Sequence, residues 1–275
     1  MDDIQVLRPI FLEAARLASV DVMTIYETDF AVDSKSDESP VTAADLAAEH
    51  AILTHLTENN VLIPIVSEES VAAGVIPEID DNYILVDPLD GTREFVNRNG
   101  EFTVNIALIV QGEPVLGVVF VPALKEAFWG DFQAGAFSAP LLESSDAIMA
   151  AGKSIRVTGA DSSSGWRAVA SRSHLSAETE ALLAQNPISE TVNYGSSLKL
   201  CRLAEGKADI YPRLAPTNQW DIAAGDAVLR AAGGMSITLD KSPFVYKVPR
   251  PLRASGFLNS WFVAHGGIDV SKLTV

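Results

Sequence analysis

The sequence predicts a globular fold whose first half is α+β and whose second half is α/β. Hydrophobic residues make up 48% of the 275 residues, which is ample for a substantial core. In the first half, long amphipathic stretches precede strand-like runs joined by short turns, whereas strand-like and helix-like stretches alternate in the second half. We therefore expect one large domain or two closely packed ones.

Two helices are predicted at the start of the chain. Apolar residues recur at helical spacing from Ile4 to Tyr26, which predicts one amphipathic helix that packs on a sheet. Residues 33–40 are polar and rich in turn-forming residues, so they predict an exposed loop. A second helix is expected to start near Thr42, after this loop.

Two buried strands follow, and each of them ends at an acidic side chain. Residues 61–66 form an apolar run that leads to Glu68, and residues 83–86 form a second apolar run that leads to Asp87. Both strands therefore place acids at their carboxyl ends.

An antiparallel meander is predicted next. The runs at residues 102–110 and 115–121 are separated by a short segment that contains Gly and Pro, which indicates a hairpin. Shorter strand-like segments follow at residues 127–129 and 135–137. The first half therefore combines its helices with an antiparallel sheet.

A polar segment rich in small residues, 144–154, marks the predicted boundary between two domains. We place these domains at residues 1–153 and 154–275. The second domain is predicted to contain a strand at 167–170, helices at 176–185, 196–205 and 220–232, and, after Gly233 and Gly234, a strand at 235–239.

Composition limits the classes of partner and the location. The formal net charge of −16 argues against a nucleic-acid polymer as partner, because such binding uses clustered Lys and Arg. The sole cysteine, Cys201, is expected to pack inertly in a helix. The absence of a run of eighteen apolar residues and the acidic start predict a cytoplasmic protein without an integral membrane segment. Peripheral association with the inner membrane, and the choice between monomer and homodimer, stay open.

Residues 87–92, Asp-Pro-Leu-Asp-Gly-Thr, carry the strongest chemical signal. They place two aspartates three residues apart between a strand end and a predicted helix start. The two carboxylates and the Leu89 carbonyl can converge there, and such oxygen ligands suit Mg²⁺. The N–H groups of Gly91 and Thr92 would favour an anion at the helix start. The alternative is an ordinary Asp-Pro and Asp-Gly turn with a helix cap.

Acids in further segments favour the metal interpretation. Glu68 lies at the end of one strand, and Asp221 opens a predicted helix. Asp45 lies near the start of the second helix, where residues 42–45 could instead form a capping box with Asp45 at its N3 position.

Together these motifs resemble the inositol monophosphatase superfamily, which also includes fructose-1,6-bisphosphatases. The resemblance covers almost the whole chain. It rests on residues 87–92, on Glu68 and Glu69 upstream, and on residues 220–225 downstream. Within the superfamily, three segments resemble the CysQ-like branch of 3′(2′),5′-bisphosphate nucleotidases: residues 87–109, 170–174 and 195–199. Inositol monophosphatases typically have Thr-Asn where this chain has Arg93 and Glu94.

The resemblance implies a layered αβαβα sandwich and a phosphatase that uses two or three Mg²⁺ ions. The metal ligands that it implies are Glu68, Asp87, the Leu89 carbonyl, Asp90 and Asp221, so that the first domain carries most ligands and the second carries Asp221. It also implies that Asp45 and Thr92, with Glu68 as a further partner, orient or deprotonate the attacking water. Lys35 and Asp37 lie in a loop that closes over the site in relatives.

For substrate binding the resemblance implies Leu89, Asp90, Gly91, Thr92, His174, Ser196, Lys199, Arg213 and Asp221. Lys199 and Arg213 are cations suited to a second phosphate remote from the metal ions. His174 follows an apolar strand, at a position where α/β sheets commonly bind ligands.

The predicted function is the removal of the 3′-phosphate of 3′-phosphoadenosine 5′-phosphate, giving AMP and phosphate. A metal-activated water attacks directly, without a phosphoenzyme. An inositol-1-monophosphatase or a broad sugar-phosphate phosphatase is the alternative within the enzyme class. A catalytically silent metal-binding or scaffold protein on the same fold is the alternative from another class.

Overall fold

The computed structural model describes residues 4–28, 40–159, 164–171, 176–247 and 253–275. The helices are α1 (Ile4–Tyr26), α2 (Pro40–Glu58), α3 (Glu68–Ala72), α4 (Thr92–Val96), α5 (Ser145–Ala150), α6 (Ala177–Ala184), α7 (Leu198–Ala204) and α8 (Gln219–Ala231). The strands are β1 (Ile65–Ser67), β2 (Asn82–Asp90), β3 (Thr103–Val110), β4 (Glu113–Val121), β5 (Glu126–Asp131), β6 (Gly135–Pro140), β7 (Lys153–Ile155), β8 (Trp166–Ser171), β9 (Ile188–Tyr194), β10 (Ile210–Arg213), β11 (Met235–Thr238) and β12 (Phe262–His265).

The larger sheet is a nearly complete antiparallel meander. Within the described ranges, its seven strands follow the chain order from β1 to β7, and only the β1–β2 pair is parallel. Because β1 and β2 are parallel neighbours, their carboxyl ends lie at the same edge of the sheet. The register shift in β2 between Asp87 and Asp90 bends the strand at that edge.

The smaller sheet has five strands in the order β11-β12-β10-β8-β9. The β10–β8 and β8–β9 pairs are parallel, whereas β12 runs antiparallel to both of its neighbours. The mixed directions agree with the alternation of helices and strands in this half of the chain.

Five layers stack in the order helix, sheet, helix, sheet, helix. Helices α1 and α2 cover one face of the larger sheet. Helices α7 and α8 fill the space between the two sheets, where they share one apolar core with both. Helix α6 packs on the outer face of the smaller sheet. The predicted αβαβα sandwich is confirmed.

Close contacts at glycines fix α8 on the larger sheet. A methyl group at Gly117 of β4 would lie 2.7 Å from the Ala227 Cβ and closer still to the Ala224 carbonyl oxygen. At Gly130 of β5 the same addition would come within 2.9 Å of Ala231. Small residues on both sides thus let the helix approach the strands closely, and this sets the position of its amino end.

Several predicted element limits are confirmed, and others are wrong. Helix α1 has the predicted limits, and α2 begins at Pro40, two residues before the predicted start near Thr42. The predicted strand at 61–66 is mostly irregular, since only Ile65–Ser67 pairs with β2. Pro64 has no N–H to donate to a ladder, and Leu62 is 92% exposed.

The sequence interpretation also missed strands β7, β9, β10 and β12. Of these, β9 is largely exposed and polar, so it lacks the apolar run that reveals a buried strand. Strand β7 extends the larger sheet across the predicted domain limit at residue 153. The division into domains 1–153 and 154–275 stays a prediction.

None of the helices among the described residues combines the length and the apolar character needed to cross a membrane.

We predict that Gly117→Ala lowers the free energy of unfolding by about 1–3 kcal/mol, because the new methyl group overpacks the contact between β4 and α8. Urea unfolding measures this loss. Gly266→Ala is the matched control, since its methyl group would meet no atom closer than 3.3 Å. Equal losses in the two variants would show that α8 tolerates the displacement.

Candidate active site

A cavity of about 420 Å³ opens where the carboxyl end of β2 meets the amino end of α8. Nearly all of the residues predicted to bind metal or substrate lie in its wall. These are Glu68, Asp87, Leu89, Asp90, Gly91, Thr92, Ser196, Lys199, Arg213 and Asp221. The fold therefore brings segments that are up to 153 positions apart in sequence, from Glu68 to Asp221, into one site.

Three carboxylates converge in the wall of this cavity. Glu68, Asp87 and Asp221 each place one oxygen within 4.8 Å of the others. Glu68 comes from the start of α3 directly after β1, Asp87 from β2, and Asp221 from the first turn of α8. The parallel strand pair and the packed helix thus hold three acids at one point.

Asp90 lies beside this group but makes different contacts. Its Oδ2 accepts a hydrogen bond from the Ser197 N–H at 2.8 Å and lies 3.5 Å from the Thr103 hydroxyl oxygen. Its carbonyl accepts a hydrogen bond from the Ser196 hydroxyl at 2.8 Å. These bonds tie the end of β2 to the segment before α7.

Burial and mutual repulsion raise the pKa values of the clustered acids. Burial, followed by the charges of neighbouring carboxylates, raises the pKa of Glu68 to about 7. The same causes hold the pKa values of Asp87 and Asp221 well above the ordinary range. Burial also raises the pKa of Asp90 to about 6, against the lowering effect of Lys199. Full ionisation of the cluster is therefore unfavourable without a compensating positive charge.

This donor set fits a hard divalent cation. All of the donors are oxygens, and among the described residues no lysine or arginine forms an ion pair with these carboxylates. Mg²⁺ and similar ions take carboxylate and carbonyl oxygens, and their charge would remove the repulsion.

Asp221 also serves the start of α8. Its Oδ2 accepts a hydrogen bond from the Asn218 backbone N–H at 2.9 Å, as the N3 residue of a capping box does. One carboxylate oxygen is thus engaged in the cap, while the side chain also belongs to the acidic cluster.

The turn after β2 requires glycine. Gly91 has φ +97°, a left-handed conformation that glycine adopts without strain. A methyl group there would also collide with the Ser196 hydroxyl. Helix α4 begins directly after it at Thr92, which is exposed at the edge of the cavity.

Two buried cations line the same cavity. The Lys199 Nζ donates to the Ser196 carbonyl at 2.7 Å and lies 5.4 Å from the centre of the Tyr211 ring. Burial lowers its pKa to about 8. Arg213 donates from Nη2 to the Pro216 carbonyl at 2.8 Å, and its buried Nε has no partner among the described residues.

A model of the inositol monophosphatase family matches residues 3–266. The chain belongs to this family. It is 41% identical over 252 residues to the 3′(2′),5′-bisphosphate nucleotidase CysQ of Escherichia coli K12, which covers 91% of this chain and 96% of that protein. The CysQ of Buchnera aphidicola is 37% identical over 254 residues, covering 92% of this chain and 91% of that protein.

Solved structures of the family agree with this placement. The crystal structure of CysQ from Bacteroides thetaiotaomicron matches with a TM-score of 0.81 and 36% identity, covering 98% of this chain and 99% of that one. An inositol monophosphatase from Zymomonas mobilis matches with a TM-score of 0.76 and 21% identity, covering 97% and 94%. The second match concerns the fold alone, whereas the first supports the CysQ-like branch. Membership of the family implies a divalent metal, in agreement with the acidic cluster.

Asp45 of α2 lies close enough to Glu68 for that charge to act on it, but it does not line the cavity. It is 8% exposed, and burial, followed by the charges of Glu69, Glu68 and Glu49, raises its pKa to about 8. The alternative that Asp45 is the N3 residue of a capping box is wrong, because α2 already begins at Pro40.

Three predicted residues lie outside the described ranges. They are His174, assigned to substrate binding, and Lys35 and Asp37 of the loop before α2. Their roles stay predictions.

The structure also brings residues to the cavity that the sequence interpretation missed. Tyr211, Thr217 and Asn218 line it, as does the buried Glu94. Asn259 supports the loop before α8, since its Nδ2 donates to the Asn218 carbonyl at 2.6 Å. No spacing or motif signals Asn259, which lies far from this loop in sequence; only the through-space contact shows it.

We predict that, with divalent ions removed by EDTA, the free energy of unfolding falls as pH rises from about 4 to about 8. The folded protein holds protons on Asp45 and Glu68 up to their raised pKa values of about 8 and about 7, whereas the unfolded chain releases them near its ordinary values. Each such group removes about 1.4 kcal/mol per pH unit between its two pKa values. Urea unfolding between pH 4 and 8 measures the slope.

Asp45→Asn should make this slope shallower, because one of the titrating groups is gone. Glu58→Gln, which removes an exposed carboxylate from the same helix, is the control variant. A wild-type slope in Asp45→Asn would contradict the assignment.

Proposed function

We propose that this chain is a 3′(2′),5′-bisphosphate nucleotidase that removes the 3′-phosphate of 3′-phosphoadenosine 5′-phosphate, giving AMP and phosphate. One observation carries the proposal: a single cavity holds both a cluster of carboxylates and two buried cations. The similarity to proteins named 3′(2′),5′-bisphosphate nucleotidase CysQ supports the same substrate class.

Two or three Mg²⁺ ions are proposed to bind the acidic wall of the cavity. The ligands would be Glu68, Asp87, the Leu89 carbonyl, Asp90 and Asp221. Bound Mg²⁺ supplies Lewis-acid stabilisation of the negative charge that develops on the phosphoryl and leaving oxygens. The chain contributes the preorganised carboxylates, which are buried before substrate arrives and need no rearrangement.

The attacking water is proposed to bind between Asp45, Thr92 and Glu68. The Thr92 hydroxyl would orient the water, and the Asp45 carboxylate would accept its proton. The water oxygen forms the new bond to phosphorus as the bond to the 3′-oxygen breaks, and that oxygen then takes up a proton. Direct displacement fits the available residues, since Cys201 is buried and burial raises the pKa of its thiol.

The cations give the acidic chain a place for a second anion. Lys199 and Arg213 are only 5% and 9% exposed, so a phosphate near them would be screened little by water. The Ser196 hydroxyl and His174 are proposed to assist. A substrate with one phosphate bound at the metal ions would make no use of this pair, and this separates the nucleotidase from an inositol-1-monophosphatase or a broad sugar-phosphate phosphatase.

The cellular location, the oligomeric state and the domain division are further parts of the proposal. We expect the protein to be cytoplasmic and to form a monomer or a homodimer, which light scattering of the purified chain would decide. The division at residue 153 would then assign Asp221 and both cations to the C-terminal domain.

We predict that phosphate release from 3′-phosphoadenosine 5′-phosphate exceeds release from inositol 1-phosphate, and that EDTA abolishes both. Asp90→Asn should lower kcat/KM for both substrates by about 100-fold or more, because it removes one preorganised charge. Arg213→Ala should lower kcat/KM for the bisphosphate alone by about 10- to 100-fold, the scale of a charged hydrogen bond.

Arg156→Ala is the control for loss of a positive charge, since Arg156 is exposed and absent from the cavity wall. Arg213→Ala also removes the bond to Pro216, so an equal loss for inositol 1-phosphate would reveal displacement of the loop rather than a lost phosphate contact. Equal or faster turnover of inositol phosphate by wild type would favour the monophosphatase. No metal-dependent release from either substrate would favour the silent protein.

A further inference from the structure

An asparagine in the centre of the larger sheet lies beside the acidic cluster. Asn105 of β3 is the direct cross-strand partner of Asp87 of β2. Opposed residues of antiparallel strands project to the same face of a sheet. Two positions further along the ladder, Leu85 and Ala107 are likewise opposed, and both lie in the core between the two sheets. Asn105 therefore faces the same layer as Asp87, below the floor of the cavity.

The amide of Asn105 is buried without a partner. The residue is 1% exposed, and neither its Nδ2 nor its Oδ1 forms a hydrogen bond within the described parts of the chain. Its neighbour on the other side is Val119 of β4, which is apolar. Buried amides in native proteins nearly always have partners, so an orphaned one requires an explanation.

Asp87 is the polar cross-strand neighbour that can use this amide. The Asp87 Oδ1 accepts a hydrogen bond from the Leu89 N–H at 3.2 Å, which restrains one side of the carboxylate. A carboxylate that binds a metal ion is normally held by further hydrogen bonds from behind, and loss of such a bond typically weakens metal binding 10- to 100-fold. The Asn105 NH₂ group is a donor on the appropriate face.

We propose that Asn105 is a positioning residue for the metal site: in the metal-bound protein its amide donates to the Asp87 carboxylate, directly or across one water, and fixes the direction of that carboxylate. The inference rests on the proposed metal-dependent function, because Asn105 can act as a positioning residue only if Asp87 is a metal ligand. Asn105 itself touches neither the metal ion nor the substrate.

A purely structural role for Asn105 and the proposed positioning role predict opposite effects of its replacement on the stability of the metal-free protein. If Asn105 served the fold, its replacement by an apolar residue would destabilise the protein. An orphaned amide instead opposes folding, and an apolar side chain of similar size removes that penalty. Asn105→Leu should therefore leave the metal-free protein equally or more stable, while it weakens Mg²⁺ binding by about 10- to 100-fold.

The matched control is Asn186, a buried asparagine whose amide is fully used. Its Nδ2 donates to the Leu182 and Thr274 carbonyls at 2.7 and 2.8 Å, and its Oδ1 accepts from the Thr274 N–H at 2.9 Å. It packs at the carboxyl end of α6, on the far side of the smaller sheet. Asn186→Leu should lower stability and leave Mg²⁺ affinity unchanged, the reverse of Asn105→Leu.

The test measures two quantities for each variant: the urea unfolding midpoint in EDTA, and the dissociation constant of Mg²⁺ by titration calorimetry. Asn105→Ala is the second variant, which removes the same amide if leucine proves too large for the site. Weaker Mg²⁺ binding without a lower unfolding midpoint in Asn105→Leu supports the proposal.

Wild-type Mg²⁺ affinity in both Asn105 variants would overturn the positioning role alone. Lower stability in Asn105→Leu, of the size seen for Asn186→Leu, would mean that the asparagine serves the fold and would also overturn it. Absence of Mg²⁺ binding by the wild-type protein would overturn the proposed metal site itself, and the positioning role with it.

Discussion

Acids that repel one another are buried together at one point of this fold. Glu68, Asp87 and Asp221 come from α3, β2 and α8, and one carboxylate oxygen of each lies within 4.8 Å of the others. Such a group is unfavourable by itself, as the raised pKa values show. Only a rigid surrounding can impose it. The parallel β1–β2 pair, the bend in β2 and the close packing of α8 supply that rigidity.

The layered arrangement explains how one cavity accommodates opposite charges. The acids belong mainly to the larger sheet, whereas Lys199 and Arg213 belong to α7 and β10 on the side of the smaller sheet. Because α7 and α8 lie between the sheets, the cavity at their amino ends receives residues from both. The whole-chain charge of −16 thus coexists with a local pair of buried cations. An anion bound in the cavity would therefore meet positive charge despite the acidity of the whole chain.

Much of this could be predicted from the sequence because the informative residues are local. The long amphipathic repeat predicts α1 with its correct limits, and residues 87–92 place acids at a strand end regardless of what surrounds them. Strand β9 could not be found this way, because its exposed polar residues carry no apolar pattern. Asn105 and Asn259 could not be predicted from the sequence for another reason. Their significance lies in the opposed strand and in the supported loop, which only the folded chain brings beside them.

The capping bond of Asp221 bears on which residue types this position can hold. A glutamate at N3 is the usual partner in a capping box, so the helix start alone would accept the longer side chain. One further methylene would carry the carboxylate past the point where it now stands within 4.8 Å of Glu68 and Asp87. The shorter acid is the one that reaches the Asn218 N–H and the cluster together. Side-chain length at residue 221 therefore matters to the cavity as well as to the helix start.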